Sequence, residues 1–142
     1  MSRLVRVVAA AIVHEQRCFV ARRRDDLARG GLWELPGGKV EPGESDPDAL
    51  VRELVEELDM QVRPVRLLAE SVHDYGDIRV CLVGWLCTWQ GGGPTLRDHS
   101  EARWLAEGTL HSIEWAPADI PLLEPLQRAM GSLTRRTTPA DP

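Results

Sequence analysis

The sequence predicts a single α/β domain, and three observations carry that expectation. Apolar strand-like runs occupy residues 3–13, 18–21 and 78–89. A helical period of about 3.6 runs through residues 47–58. A chain of 142 residues, 43% of them hydrophobic and 27% charged, suits one core of ordinary size.

Residues 3–13 and 18–21 read as two strands joined by the polar turn at His14–Arg17. Residues 22–32, RRRDDLARGGL, are too polar and glycine-interrupted for a core element, so they form a surface loop leading to a short strand at 33–35. The segment PGGKVEPGESDP reads as a folded loop, with Ser45 or Asp46 capping the next helix and Pro47 in its first turn. In that helix Leu50, Val51, Leu54, Val55 and Leu58 share an apolar face, while Glu53, Glu56 and Glu57 project from a second one. Residues 65–73 and 78–89 read as a hairpin turning at Tyr75, Gly76 and Asp77; residues 90–94 are a loop and 102–105 a short strand. A final helix starts near Pro117–Asp119 and ends at Gly131. The domain thus spans residues 1–131, and 132–142 have the composition of a flexible tail.

Composition removes several function classes. Lys and Arg total 17 against 22 Asp and Glu, a net charge of −5, which argues against a nucleic-acid polymer as partner. The longest apolar stretch, residues 7–13, is about a third of the ~20 residues a membrane span needs, and no signal-peptide pattern is present. A soluble, cytoplasmic protein is expected. Cys18, Cys81 and Cys87 are odd in number and lack metal-site spacing, so they read as small core residues in a reducing compartment.

Three glutamates on one helical turn repel one another unless a cation neutralises them, and a hard ion such as Mg²⁺ or Mn²⁺ prefers such oxygen ligands. Taken alone, a glutamate-rich helix is more often a solvated face. The spacing around it is what discriminates: Gly38, five residues, Glu44, seven residues, then Arg52-Glu53-Leu54-Val55-Glu56-Glu57-Leu58-Asp59-Met60. This resembles the Nudix box, GX5EX7REUXEEXGU, with chance agreement on the order of one in a million. The flanking WELPGGKVEPGES resembles the MutT-like branch, and WAPADIPLLEPLQ resembles its pyrimidine and oxidised-purine nucleotide pyrophosphohydrolases. One position departs, because Asp59 stands where the family usually ends the helix with glycine.

The resemblance implies a Nudix fold, an α/β/α sandwich with a mixed sheet between helices. It also implies hydrolysis of a nucleoside diphosphate linked to another group. Glu53, Glu56 and Glu57, with the carbonyl of Gly37, match the positions that hold divalent metal. Glu44 and Arg52 match residues that orient the loop and the carboxylates. The general base is either Glu53 or a late acid, for which Asp98 is the candidate and Glu101 a near competitor. Arg23 and Lys39 are the phosphate candidates, with plain surface charge as the alternative for each. His14, His73, His99 and His111 show no metal-ligand spacing and read as loop or solvent residues.

Asp119 sits where the branch places its base-reading residue, commonly asparagine in enzymes selective for 8-oxoguanine. An ionised aspartate only accepts hydrogen bonds, which suits cytosine N4, whereas a protonated one would donate and restore the fit to 8-oxoguanine. A helix N-cap at Asp119 is the structural alternative. Trp33, Trp85 and Trp115 read as core, with base stacking as the alternative. The expected activity is therefore a Mg²⁺-dependent nucleoside triphosphate pyrophosphohydrolase, monomer or homodimer, that prefers dCTP, CTP or 5-methyl-dCTP. Its rivals are an 8-oxo-dGTP diphosphatase and a catalytically silent nucleotide-binding module, the last disfavoured by the intact glutamate set.

Overall fold

The computed structural model describes residues 3–137. Among them run seven strands, β1 (Arg3–His14), β2 (Arg17–Arg23), β3 (Trp33–Glu34), β4 (Gly37–Lys39), β5 (Gln61–Asp74), β6 (Ile78–Gly91) and β7 (His99–Ala106). Two α-helices, α1 (Asp46–Leu58) and α2 (Leu123–Thr137), accompany them, with 3₁₀ turns at Glu107–Ser112 and Pro117–Leu122.

The central strand is β1, and its apolar run is long because both of its faces are covered. Val8, Ala10 and Ile12 point into a core with Phe19, Leu50, Leu54 and Leu58, on the α1 side. Ala9 and Ala11 point the other way, into a core with Val20, Leu122, Leu126 and Met130, on the α2 side. The period of two along β1 thereby places the helices on opposite faces, giving the expected α/β/α layers. The sheet is mixed: β1 runs parallel to β6 and antiparallel to β2 and β4, while β5 pairs β6 and β7 pairs β2.

One edge of β1 is shared by two strands. β2 pairs it only at Val13 and His14, and β4 pairs it at Val7–Ala9. Arg23 and Glu34 on the β2–β3 side and Gly37–Lys39 on the β4 side border the opening left between them.

Several expectations are corrected in detail. The Gly-Pro segment is not all loop, because Gly37–Lys39 forms β4; at Gly37 an added Cβ would collide with the Val8 carbonyl. The buried face of α1 is Ala49, Leu50, Leu54 and Leu58, whereas Val51 and Val55 are 39% and 44% exposed. The contact follows the i, i+4 row through Leu50, which turns the Val51–Val55 row outward. Ser45 is the cap, its Oγ accepting from Asp48 N at 3.1 Å. Residues 117–122 form a 3₁₀ turn before α2 begins, because Pro121 has no N–H to donate to the Pro117 carbonyl four residues earlier. Gly131 does not end α2, which continues to Thr137; a buried glycine in a helix interior costs only about 1 kcal/mol and need not terminate it. Residues 132–137 of the expected tail are thus helical, and 138–142 lie outside the described residues. Cys18 and Cys87 are buried and Cys81 half-buried, all three as free thiols. No helix among the described residues is long and apolar enough to cross a membrane.

Candidate active site

Arg52, on α1, is the hub of the carboxylate cluster. Its Nε donates to Glu44 Oε2 at 2.6 Å and its Nη2 to Glu44 Oε1 at 2.9 Å, a two-pronged pair. Nη1 donates to Glu53 Oε1 at 2.9 Å and Glu56 Oε2 at 3.0 Å, and Nη2 also reaches the Lys39 carbonyl at 3.0 Å. Glu44 Oε1 in turn accepts from Glu41 N at 2.9 Å, tying the loop together. The Arg52 guanidinium and that amide hold the Glu44 carboxyl down at about 2.

Glu53 lies against β4, where a Cβ on Gly38 would overlap its carboxylate. Burial raises the Glu53 pKa, opposed by Arg52. Glu57 and Asp98, the residue just before β7, line the same cavity as Glu53 and lie close enough to interact. Burial first, then Asp98, pushes Glu57 up to about 7. The sequence left Asp98 and Glu101 in competition; Asp98 is the one brought to the cluster, while Glu101 pairs with Arg103 at 2.9 Å. Glu53, Glu57, Asp98, His99, Glu34, Arg23 and Lys39 line one cavity of about 520 Å³.

A second cavity of about 230 Å³ shares Arg23, Glu34, Gly37, Gly38 and Lys39 with the first and extends between aliphatic walls, Val8, Leu35, Val80, Leu82 and Ala118 among them. Asp119 closes it, 5% exposed, with Oδ2 accepting from Leu35 N at 2.9 Å. Burial and the nearby Glu34 charge raise the Asp119 pKa well above the ordinary carboxylate range. The carboxylate caps no helix: it lies inside the 3₁₀ turn, whose cap position is Ala116. Tyr75 supports the same element, its hydroxyl accepting from Ala118 N at 3.1 Å, and Arg29 stacks on the Tyr75 ring at 3.9 Å. Trp33 and Trp115 pack in the core on the α2 side, and Trp85 against the opposite core; none of the three lines this cavity.

Arg23 borders both cavities but is partly committed, its Nε donating to the Ala28 carbonyl at 3.0 Å and Nη1 lying 3.6 Å from Glu34 Oε1. Lys39 and Gly37 border both as well, with Lys39 exposed. His99 departs from the solvent reading: it is 6% exposed, 3.5 Å from Glu34 Oε2, and neither ring nitrogen has a hydrogen bond among the described residues. Glu34 was not singled out either, although its signal was present, a polar residue between buried Trp33 and Leu35 just ahead of the glycine pair.

The donor set suits a hard divalent cation. Crowded, partly buried carboxylates that raise one another's pKa are relieved by such an ion, and Gly38 leaves room only for the Glu53 carboxylate. Among the described residues no group of three or more acid, histidine or cysteine side chains is arranged to hold a metal ion by itself. Mg²⁺ does not require such a group, since it keeps waters and takes substrate phosphate oxygens alongside one or two carboxylates.

Comparison with known proteins gives the family. Residues 3–126 match the family model described as NUDIX domain. A Mycobacterium tuberculosis (strain H37Rv) protein that carries the provisional name 8-oxo-dGTP diphosphatase 2 is 38% identical over 128 residues, 87% of this chain and 89% of its own. The CTP pyrophosphohydrolase of Escherichia coli K12 is 35% identical over 122 residues, covering 86% and 90%. The solution structure of the E. coli ORF135 protein superposes with a TM-score of 0.75 at 33% identity, covering 99% of this chain and 96% of that one.

Proposed function

This chain belongs to the Nudix family of hydrolases, and from that premise we propose that it is a Mg²⁺-dependent nucleoside triphosphate pyrophosphohydrolase preferring cytosine nucleotides. The observation that carries the reading is the joining of two unlike cavities at Gly37–Lys39: one ringed by carboxylates, the other apolar and ending in Asp119. A triphosphate laid across the join puts its base against Asp119 and its phosphates beside Glu53, Glu57 and Asp98.

Glu53, Glu56 and Glu57, with the Gly37 carbonyl, would hold the divalent ion. When bound, it supplies charge neutralisation and polarises the phosphorus. Arg52 keeps Glu53 and Glu56 aimed, and Glu44 keeps Arg52 aimed. Arg23 and Lys39 meet phosphate oxygens. Glu53 or Asp98 takes a proton from the attacking water as its oxygen bonds to the β-phosphorus. The bond from that phosphorus to the bridging oxygen breaks, and the nucleoside monophosphate leaves with it, separating from pyrophosphate. The cytoplasm, which holds both nucleotides and Mg²⁺, is the setting for this reaction.

Base preference turns on Asp119. Its Oδ2 is engaged by Leu35 N, and as an ionised acceptor it serves the cytosine N4 amine while leaving guanine O6 without a donor, at a cost of about 1–3 kcal/mol. The raised Asp119 pKa favours a second reading, because a protonated carboxyl donates to O6 and accepts from N7–H of 8-oxoguanine. The relatives bear names of both kinds. Pyrophosphate release with Mg²⁺ from dCTP, CTP, 5-methyl-dCTP, dGTP, 8-oxo-dGTP and ADP-ribose, with Glu56→Gln as control, separates them. Preference for cytosine nucleotides that is abolished in the control is the expected result; preference for 8-oxo-dGTP overturns the base assignment and leaves the hydrolase.

A further inference from the structure

Asp59 occupies the left-handed region at the end of α1, with φ 55° and ψ 27°, where glycine would sit without strain. Its side chain has a use that glycine lacks. Residues 92–98, which lead into β7, dock on this end of α1. Gly92 and Gly93 approach the Asp59 and Leu58 carbonyls too closely for any Cβ, and Thr95 N donates to Leu58 O at 2.8 Å. Arg97 then spans the helix end: Nη1 donates to the Glu56 carbonyl at 3.0 Å and Nη2 to Asp59 Oδ2 at 2.7 Å. From the other side Arg24 Nη1 donates to the Arg97 carbonyl and Arg24 N to the Asp98 carbonyl, each at 3.0 Å. The next side chain after this clasp is Asp98, which meets Glu57.

We infer that Asp59 is a positioning residue for hydrolysis: through Arg97 it holds the loop that presents Asp98 to Glu57, so the departure from glycine serves the site. The inference rests on the reading of Asp98 as a reacting acid. A role confined to ending the helix would need no side chain at all, and glycine would fill it better.

The test compares Asp59→Gly, Asp59→Asn, Arg97→Met and Asp98→Asn, alone and with Asp59→Gly added to Asp98→Asn, on whichever triphosphate of the panel turns over fastest. Asp59→Gly should melt at or above the wild-type temperature, since the left-handed strain is gone, yet lose kcat on the order of 10-fold with KM little changed. Arg97→Met should follow it. Asp59→Asn, which tolerates the same backbone and keeps one acceptor, should retain most activity. In the Asp98→Asn background the Asp59→Gly loss should vanish. Unchanged kcat in Asp59→Gly, or an equal loss with and without Asp98, overturns the positioning role alone. Unchanged kcat in Asp98→Asn removes Asp98 from the chemistry, and the inference goes with it.

Discussion

Arg52 grips Glu44 with both arms of its guanidinium, Nε at 2.6 Å from one carboxylate oxygen and Nη2 at 2.9 Å from the other. The pair joins α1 to the loop that precedes it, and the remaining nitrogen steers Glu53 and Glu56. Lysine has one point of charge and no fork, so Arg52→Lys would hold one partner and release the others. Loss of kcat on the order of 100-fold is expected, with circular dichroism unchanged. Because the Glu44 pKa is depressed to about 2, this pair's contribution to stability is present above the ordinary glutamate pKa and disappears only as pH falls through about 2.

Gly38→Ala tests the packing of β4 against α1. The new methyl overlaps the Glu53 carboxylate, and the cheapest relief is rotation of Glu53 out of the cluster. Hydrolysis should fall on the order of 100-fold while the melting transition stays cooperative. An active Gly38→Ala protein would mean that Glu53 is not needed where it stands.

The Glu57–Asp98 pair predicts how metal affinity depends on pH. Burial and the neighbouring Asp98 raise the Glu57 pKa to about 7, so a divalent ion that binds beside it competes with a proton. Mg²⁺ or Mn²⁺ affinity should therefore rise about tenfold per pH unit below 7 and level off above it. Titration calorimetry at pH 6 and 8 reads the slope, and Glu57→Gln should flatten it.

Asp119→Asn should alter both selectivity and stability. Activity on dCTP should fall relative to 8-oxo-dGTP, because the amide supplies a donor that the carboxylate lacks. An unchanged ratio counts against Asp119 as the reader. For stability, the folded pKa lies above the unfolded value of about 3.8, so wild-type stability falls as pH rises through that window. Asn carries no charge, and melting temperatures of Asp119→Asn should lack that decline.

Much of this was legible in the linear chain. The spacing from Gly38 to Met60 identified the family, and the period of 3.6 over residues 47–58 put three glutamates on one turn, because both signals are local and repeat with the helix. The unbroken apolar run of residues 7–13 marked a strand, and the layered sheet around it was what the family resemblance implied. Tertiary structure decided the rest, since each remaining feature is a meeting of residues far apart in sequence. Whether Asp98 or Glu101 faces the cluster depends on how the β6–β7 loop docks on α1. That His99 and Glu34 share the site follows from β7 and β3 flanking β2. Val51 and Val55 face solvent because the sheet selects one row of the helix. Asp119 acquires its perturbed acidity only when the fold buries it against Leu35 and Glu34, a desolvation that no spacing in the sequence encodes.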